Sequence, residues 1–547
     1  MNKTLLTTDY VVFLLYFAVV AAYGYWIYHR KKATEPGAKD FFLAEGALTW
    51  WAIGASLIAS NISAEQFIGM SGASYALGLA IASYEWMAAA TLIVVAVFFL
   101  PIYLRNRIYT MPQFLAQRFG PLVATLMAVF WLLVYVFVNL TSILYLGGLA
   151  VSQISGISFG YCALGLGVFA LFITLGGMKV IGYTDVIQVL VLIVGGLATT
   201  YIALNLVAAH FDAGGAWSGL RLLLRNADSH FHMIFEPGQM MMPDGKGGQA
   251  DAYNKLPGLA VLFGAMWVAN LNYWAFNQYI TQRALGAQLD TARKGILFAA
   301  FLKMLMPLIV VLPGIAAYLL HREGALGGAM LNDKGHEFPD NAYPVLLNLL
   351  PVGLKGLAFA ALTAAIVSSL AGQANSISTI FTLDIYKKYV NPDASEQKQT
   401  SVGKGVIAAA LVIAFFMAPL LANFGQAFQF IQDFTGLISP GVVAIFVLGF
   451  FWKKTTSAAA LAGALITIPL GLFINYMWPD MPFLHRMGWV FLFLVGAMIL
   501  VSMLDAPGRR RLRAIEIEPA DFQVSPAFAA MSLAVCGLLA AIYIVFW

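Results

Sequence analysis

Stretches of about 20 apolar residues recur from one end of this chain to the other, and each is long enough to carry a helix across a bilayer. In lipid, every backbone amide and carbonyl needs an internal partner, which restricts such repeated stretches to helices. Composition agrees: 61% of the 547 residues are hydrophobic and 10% charged, where a soluble protein has about a quarter of its residues charged. The chain therefore reads as an all-α polytopic membrane protein, a single transmembrane domain over residues 1–547. Its passes number about fourteen, centred near residues 18, 60, 90, 138, 168, 195, 268, 308, 365, 411, 440, 464, 494 and 536.

The loops test that count, because short cytoplasmic loops hold most of the Lys and Arg. Every second loop is basic: Arg30 to Lys39, Arg105 to Arg118, Lys179, Arg283 to Lys294, Lys387 to Lys404, Lys453 and Lys454, and Arg509 to Arg513. The alternation puts both termini outside, in the periplasm if the host is Gram-negative, and the expected location is the plasma membrane, a bacterial inner membrane. The net charge of +5 then follows from topology and calls for no nucleic-acid partner. Cys162 and Cys536 lie in different apolar stretches and suggest no disulfide or thiol-metal motif. The external insertion from Ala209 to Lys255 holds His210, His230 and His232, and reads as a solvated loop rather than a metal site. Enzyme signatures are missing: Gly245-Lys246 and Gly403-Lys404 lack the Ser/Thr of a phosphate loop, and His336-Glu337 lacks a second His.

Chemistry is concentrated where polar residues break apolar runs. Ala59-Ser60-Asn61-Ile62-Ser63-Ala64-Glu65-Gln66 sets an acid and two amides at membrane depth, where each acid costs about 2.5–3.5 kcal/mol unless it faces a cavity or a partner. A helix unwound here frees carbonyls, such as those of Ala59 and Ile62, as hard ligands for a cation. The alternative is hydrogen bonding between helices through small polar residues. Glu85, beside Tyr84 and Trp86, is a second deep acid, and Lys303 is a deep ammonium that needs Glu65 or Glu85 as partner. Asn270, Tyr273 and Trp274 pair amide with aromatic, as a sugar requires, and Gln432 can add another contact. Each is equally able to serve as interhelical glue. Ser368 and Ser369, one turn after Ala365, suit a monovalent cation or bond back to their own helix. Asp185 marks either an ion exit or a helix cap.

These residues, with the long stretches Ala55 to Gly72, Ile81 to Met87, Phe137 to Gly148, Trp267 to Arg283, Phe359 to Tyr386 and Gln426 to Gly436, resemble the sodium/solute symporter family. Within it, the sodium/glucose cotransporter branch and the bacterial sodium/galactose symporters are most similar. The resemblance implies a leucine-transporter-like core of two inverted five-helix repeats with broken first helices, about 48–208 and 257–453, flanked by an extra helix at about 8–30 and further helices at about 455–547. It implies sodium-coupled uptake of a hexose, galactose or glucose, by alternating access. Gln66, Glu85, Asn270, Lys303 and Gln432 match the sugar hydroxyl partners, with Asn61 and Glu65 beside them. Tyr273 matches the inner gate, and Tyr84, Trp274, Met70 and Phe428 match the pocket walls. Sodium matches Ala59, Ile62, Ala365, Ser368 and Ser369, the first three through carbonyls, with Asp185 on the release path.

Two positions depart from the pattern. Ala88 replaces a serine near the sugar, which bears on sugar preference, and Ala371 replaces the hydroxyl of members with a second sodium site, so one sodium per sugar is expected. A symporter for myo-inositol, sialic acid or an amino acid, and a membrane sugar sensor, are the other readings. The expected partners are sugar, sodium and lipid, with the chain a monomer or a weak homo-oligomer.

Overall fold

A computed structural model describes residues 5–30, 38–44, 48–243, 248–331, 335–424, 427–509 and 515–547. The side chains of Phe428 and Gln432 lie outside what is described. Ten described helices are long and apolar enough to cross a membrane. One of them, Glu65–Arg105, is two passes, because its partners on the Leu289–Arg322 helix run first one way and then the other. Ser74 Oγ donates to the Val311 carbonyl (3.0 Å) and the Tyr75 hydroxyl meets His321 Nδ1 (2.5 Å). Further along, Trp86 Nε1 donates to the Met304 carbonyl (3.4 Å) and Arg293 Nε to the Ala96 carbonyl (3.1 Å). The chain reverses at Gly78, whose φ of +65° suits glycine and whose missing Cβ would collide with the His230 carbonyl. With the shorter Phe159–Thr174 helix and the interrupted ones, the described residues make fourteen passes.

Two passes are broken near their middle. Trp50–Asn61 ends at Ile62, where the backbone is extended (φ −87°, ψ 113°), and helix resumes at Glu65. Ser63 and Gln66 form a reciprocal cap for the second half: Ser63 Oγ accepts from the Glu65 amide (3.1 Å) and Gln66 Oε1 from the Ser63 amide (2.9 Å). The second break separates Met266–Ala275 from Gln278–Leu285, and Asn277 caps the new start by accepting from the Tyr279 amide (3.0 Å).

Around these, the Leu354–Ile380 helix packs on Gly177–His210, while Ser457–Met477 and Phe483–Leu504 pack together against Ala427–Phe451. The last helix, Pro526–Val545, turns instead to Ser83–Val94 and Leu289–Arg322, with the Tyr543 hydroxyl donating to Ser83 Oγ (3.0 Å). Outside the passes the described residues of the 209–255 segment add a small antiparallel hairpin, Met241–Pro243 with Gln249–Asp251.

The histidine loop is not simply solvated. His230 is 3% exposed and stacks on Tyr318 at 3.7 Å between ring centroids, because the loop plugs the turn at Gly78. Burial lowers its pKa to about 4 from the usual 6.5, so the ring docks neutral at pH 7. Among the described residues no group of three or more His, Cys, Asp or Glu could hold a metal ion.

Close packing of the first broken pass on Leu289–Arg322 depends on Gly314. A Cβ there would collide with Ser71 O and Ser74 Oγ, both fixed by the hydrogen bonds of Ser74. Gly314→Ala is expected to destabilise the protein by about 1–3 kcal/mol as the helices are forced apart. A lowered melting temperature in detergent checks this, and an unchanged one contradicts it.

Candidate functional site

Both breaks face one another in the middle of the bundle, and the buried charges Glu85, Asp185, Arg283 and Lys303 stand around them. Lys303, 1% exposed, donates to Glu85 Oε2 at 2.5 Å and to Asn61 Oδ1, the residue that ends the first half-helix. Its ammonium lies 5.2 Å from the Trp274 ring centroid. A buried lysine is tolerated only when paired and hydrogen-bonded, and here the acid comes from one pass, the amide from a second and the aromatic face from a third. Tyr273 packs edge-on to Trp274 (5.1 Å between centroids), and with Asn61 it lines one cavity wall.

Asn61 and Tyr273 form a partition. Behind them lie Lys303 and Glu85. In front lies a cavity of about 100 Å³, lined by Asn61, Glu65, Tyr273, Asn139, Asn272 and Gln373 among others. Two expected sugar partners each commit one end of the amide to their own segment. Gln66 is occupied by the cap on Ser63, and Asn270 Nδ2 donates to the Met266 carbonyl of its own helix (3.0 Å). Met70 is buried and Tyr84 partly so, each packed into the core around the site.

On the other side of the same break the polar atoms are oxygens. The amide of Ser63 is taken by Gln66, so it does not bond the Ala59 carbonyl as a continuing helix would. Ser369 Oγ donates to the Ser60 carbonyl (3.0 Å) and, at a longer 3.5 Å, to that of Ile62. The Tyr279 hydroxyl also donates to Ser60 O. Ser368 Oγ donates to Asp185 Oδ1 at 2.6 Å, and Ser56 Oγ donates to the other carboxylate oxygen. Asp185 is thus neither a helix cap nor an end-of-helix residue: it lies within the Gly177–His210 helix, 1% exposed, directly bonded to Ser368. Ala365 is buried one turn before Ser369. Freed carbonyls, hydroxyls and one carboxylate are a donor set suited to a hard monovalent cation.

Arg283 was counted above among the basic loop residues, and the structure corrects that. It is fully buried in Gln278–Leu285, its Nε donating to Ser56 Oγ (3.0 Å), another guanidinium nitrogen to the Tyr279 carbonyl, and its Cζ 5.1 Å from the Tyr279 ring centroid. The Tyr279–Arg283 spacing of one turn was the available signal, masked by the adjacent basic stretch. Ser56, Tyr279, Asn277 and Gln373 are further participants that sequence reasoning did not single out as ligands.

The model of the sodium:solute symporter family matches residues 41–467. The chain belongs to that family. This symporter is 46% identical over 546 residues to a "Sodium/glucose cotransporter" of Vibrio parahaemolyticus, covering 98% of each chain. It is 33% identical over 497 residues to "Sodium/myo-inositol cotransporter 2" of Homo sapiens, covering 86% of this chain and 70% of that one. Among solved structures, a Na+-coupled sialic acid symporter described as a substrate-bound outward-open state superposes with a TM-score of 0.78 at 22% identity, over 92% of this symporter and 98% of that chain. That likeness fixes the leucine-transporter-like fold. The symporter is a multi-pass membrane protein and not an enzyme.

Proposed function

We propose that this symporter couples sodium entry to uptake of a hexose, galactose or glucose. The observation that carries the reading is that a single helix break serves both groups of residues. Asn61 reaches Lys303 on one side, while the Ser60 and Ile62 carbonyls reach Ser369 on the other. A cation held by the carbonyls of Ala59, Ile62 and Ala365 with Ser368 and Ser369 orders the break, and so sets Asn61 and Lys303 for the sugar. Coupling of this kind requires only that sodium bind one conformation better than the other. The relative named for glucose, nearly half identical along almost its whole length, supports the substrate class.

Lys303 and Glu85 offer the hydroxyls charged partners, each worth about 1.5–3 kcal/mol net, with Asn61, Glu65 and Gln432 adding amide and acid contacts and with Gln66 Nε2 and Asn270 Oδ1, the ends of those amides not spent within their own segments, adding to them. Tyr273 is the gate between that cluster and the cavity. Residues 48–208 and 257–453, each opening on a broken helix, act as the two halves of the rocking core. One sodium accompanies each sugar, both termini lie outside, and a membrane potential supplies about 2.3 kcal/mol per 100 mV for the one charge moved. Myo-inositol is the second reading, favoured by the likeness to the human cotransporter.

Purified protein in proteoliposomes is expected to accumulate labelled galactose or glucose when sodium is high outside, and to lose accumulation when the gradient is collapsed. Accumulation equally well under a potassium gradient overturns the coupling. Sodium-driven uptake of myo-inositol in preference to both hexoses overturns the choice of sugar.

A further inference from the structure

We propose that Gln373, with Asn139 and Asn277, forms a second sugar-contact station in the cavity in front of Tyr273, occupied by the sugar after it leaves Lys303 and Glu85. The proposal rests on the functional reading above. Its starting point is an unsatisfied amide. Gln373 is 0% exposed, yet among the described residues neither its Oε1 nor its Nε2 has a hydrogen-bond partner.

Neighbouring buried glutamines show what a structural role looks like here. Gln278 accepts from the Met111 amide (2.9 Å) and donates to the Tyr109 carbonyl (3.2 Å) and Gln282 Oε1 (3.2 Å), and Gln282 donates to Ser376 Oγ (2.8 Å). Those amides tie helices together. Gln373 ties nothing, and its free ends belong to the wall of the cavity. A buried amide left without partners is costly, and such exceptions in a well-packed protein point to a guest that supplies them.

The rest of the wall suits the same guest. Asn139 adds an amide and Asn277 its Nδ2, the Asn277 Oδ1 being held by the Tyr279 amide and the Tyr135 hydroxyl; Ser60 adds a hydroxyl oxygen that also lacks a partner, and Trp131 and Ile143 supply apolar surface. A sugar presents hydroxyls at its rim and C–H groups on its faces, matching amides that both donate and accept and an aromatic that packs. Among the described lining residues Glu65 is the one charged group and none is a lysine, so the hold is weaker than that of the paired Lys303 and Glu85, as a station on an exit route requires.

Position agrees as well. Gln373 follows Ser369 by one turn toward the end of its pass that carries Lys387 and Lys388, and Asn277 lies between Tyr273 and Arg283. By the charge alternation of the loops that direction is toward the cytoplasm. A sugar passing Tyr273 inward meets these amides first, and Ser369, which faces the sodium carbonyls, lines the same cavity.

The test compares wild type and Gln373→Leu as full chains in proteoliposomes, using labelled galactose, glucose and a series of monodeoxy hexoses. The variant is expected to keep equilibrium sugar binding within about twofold and to lower uptake turnover about tenfold, the size of one lost hydrogen bond. One deoxy sugar should turn over slowly on wild type and be slowed no further by the variant. Should Gln373→Leu fail to fold, Gln373→Asn, which withdraws the amide by one methylene, is expected to give the same pattern with a smaller loss. Unchanged turnover in a variant of a sugar-transporting wild type overturns the station alone, as does an unselective loss accompanied by a raised half-saturating sodium concentration. Wild type without sodium-driven sugar uptake overturns the functional reading and the station with it.

Discussion

Lys303→Ala is expected to lower sodium-driven sugar uptake by about a hundredfold or more, since a site built to hydrogen-bond a hydroxyl discriminates steeply. Two losses combine in this variant. The ammonium that meets Glu85, Asn61 and the Trp274 face disappears, and Glu85 is left 3% exposed without its partner. Removing one member of a buried ion pair costs about 3–5 kcal/mol, enough to unfold a marginal protein and to mimic a lost function. The pair variant Lys303→Met with Glu85→Gln separates the two effects, because it removes both charges at similar volume. It is expected to recover most of the melting temperature and none of the uptake. Wild-type transport by the pair variant means that Lys303 and Glu85 hold helices together and that sugar binds elsewhere.

How far the sequence disclosed this arrangement depends on what each residue had to reveal. The passes were legible because an apolar stretch of membrane length has a helix as its outcome whatever its neighbours do. That Lys303 pairs with Glu65 or Glu85 was legible for a related reason, since a deep ammonium requires an acid and these were at hand; that Glu85 alone takes the role came from the structure. Direction was not legible. Gln66 and Asn270 have the composition of ligands, but one caps the half-helix through Ser63 and the other bonds to Met266. The Ser63-x-x-Gln66 spacing is itself a capping signature, and it went unweighed because the acid and amides beside it suggested binding. Arg283 shows the converse error. Counting Lys and Arg by loop places a residue only to within a turn or two, and one turn separates a solvated loop from the buried contact with Ser56. Asp185 needed three dimensions, since its two serine partners stand 129 and 183 residues away in the chain.

Ser368→Ala is expected to raise the sodium concentration for half-maximal uptake by about tenfold, the equivalent of about 1.4 kcal/mol. The substitution deletes an oxygen from the cation's donor set and also removes the 2.6 Å hydrogen bond to Asp185. Asp185 then keeps Ser56, whose oxygen also accepts from Arg283, so the guanidinium's claim on the carboxylate grows as the sodium side weakens. Sugar affinity at saturating sodium is expected to change little, because Lys303, Glu85 and Asn61 keep their contacts. Ser369→Ala should act differently: Ser369 holds the Ser60 and Ile62 carbonyls at the break that also positions Asn61, so both sodium activation and sugar affinity should fall together. Initial uptake rates over a sodium series at two fixed sugar concentrations distinguish the two variants. If both leave sodium activation at the wild-type value, the coupling ion binds away from Ser368 and Ser369, and the shared helix break does not join the two solutes.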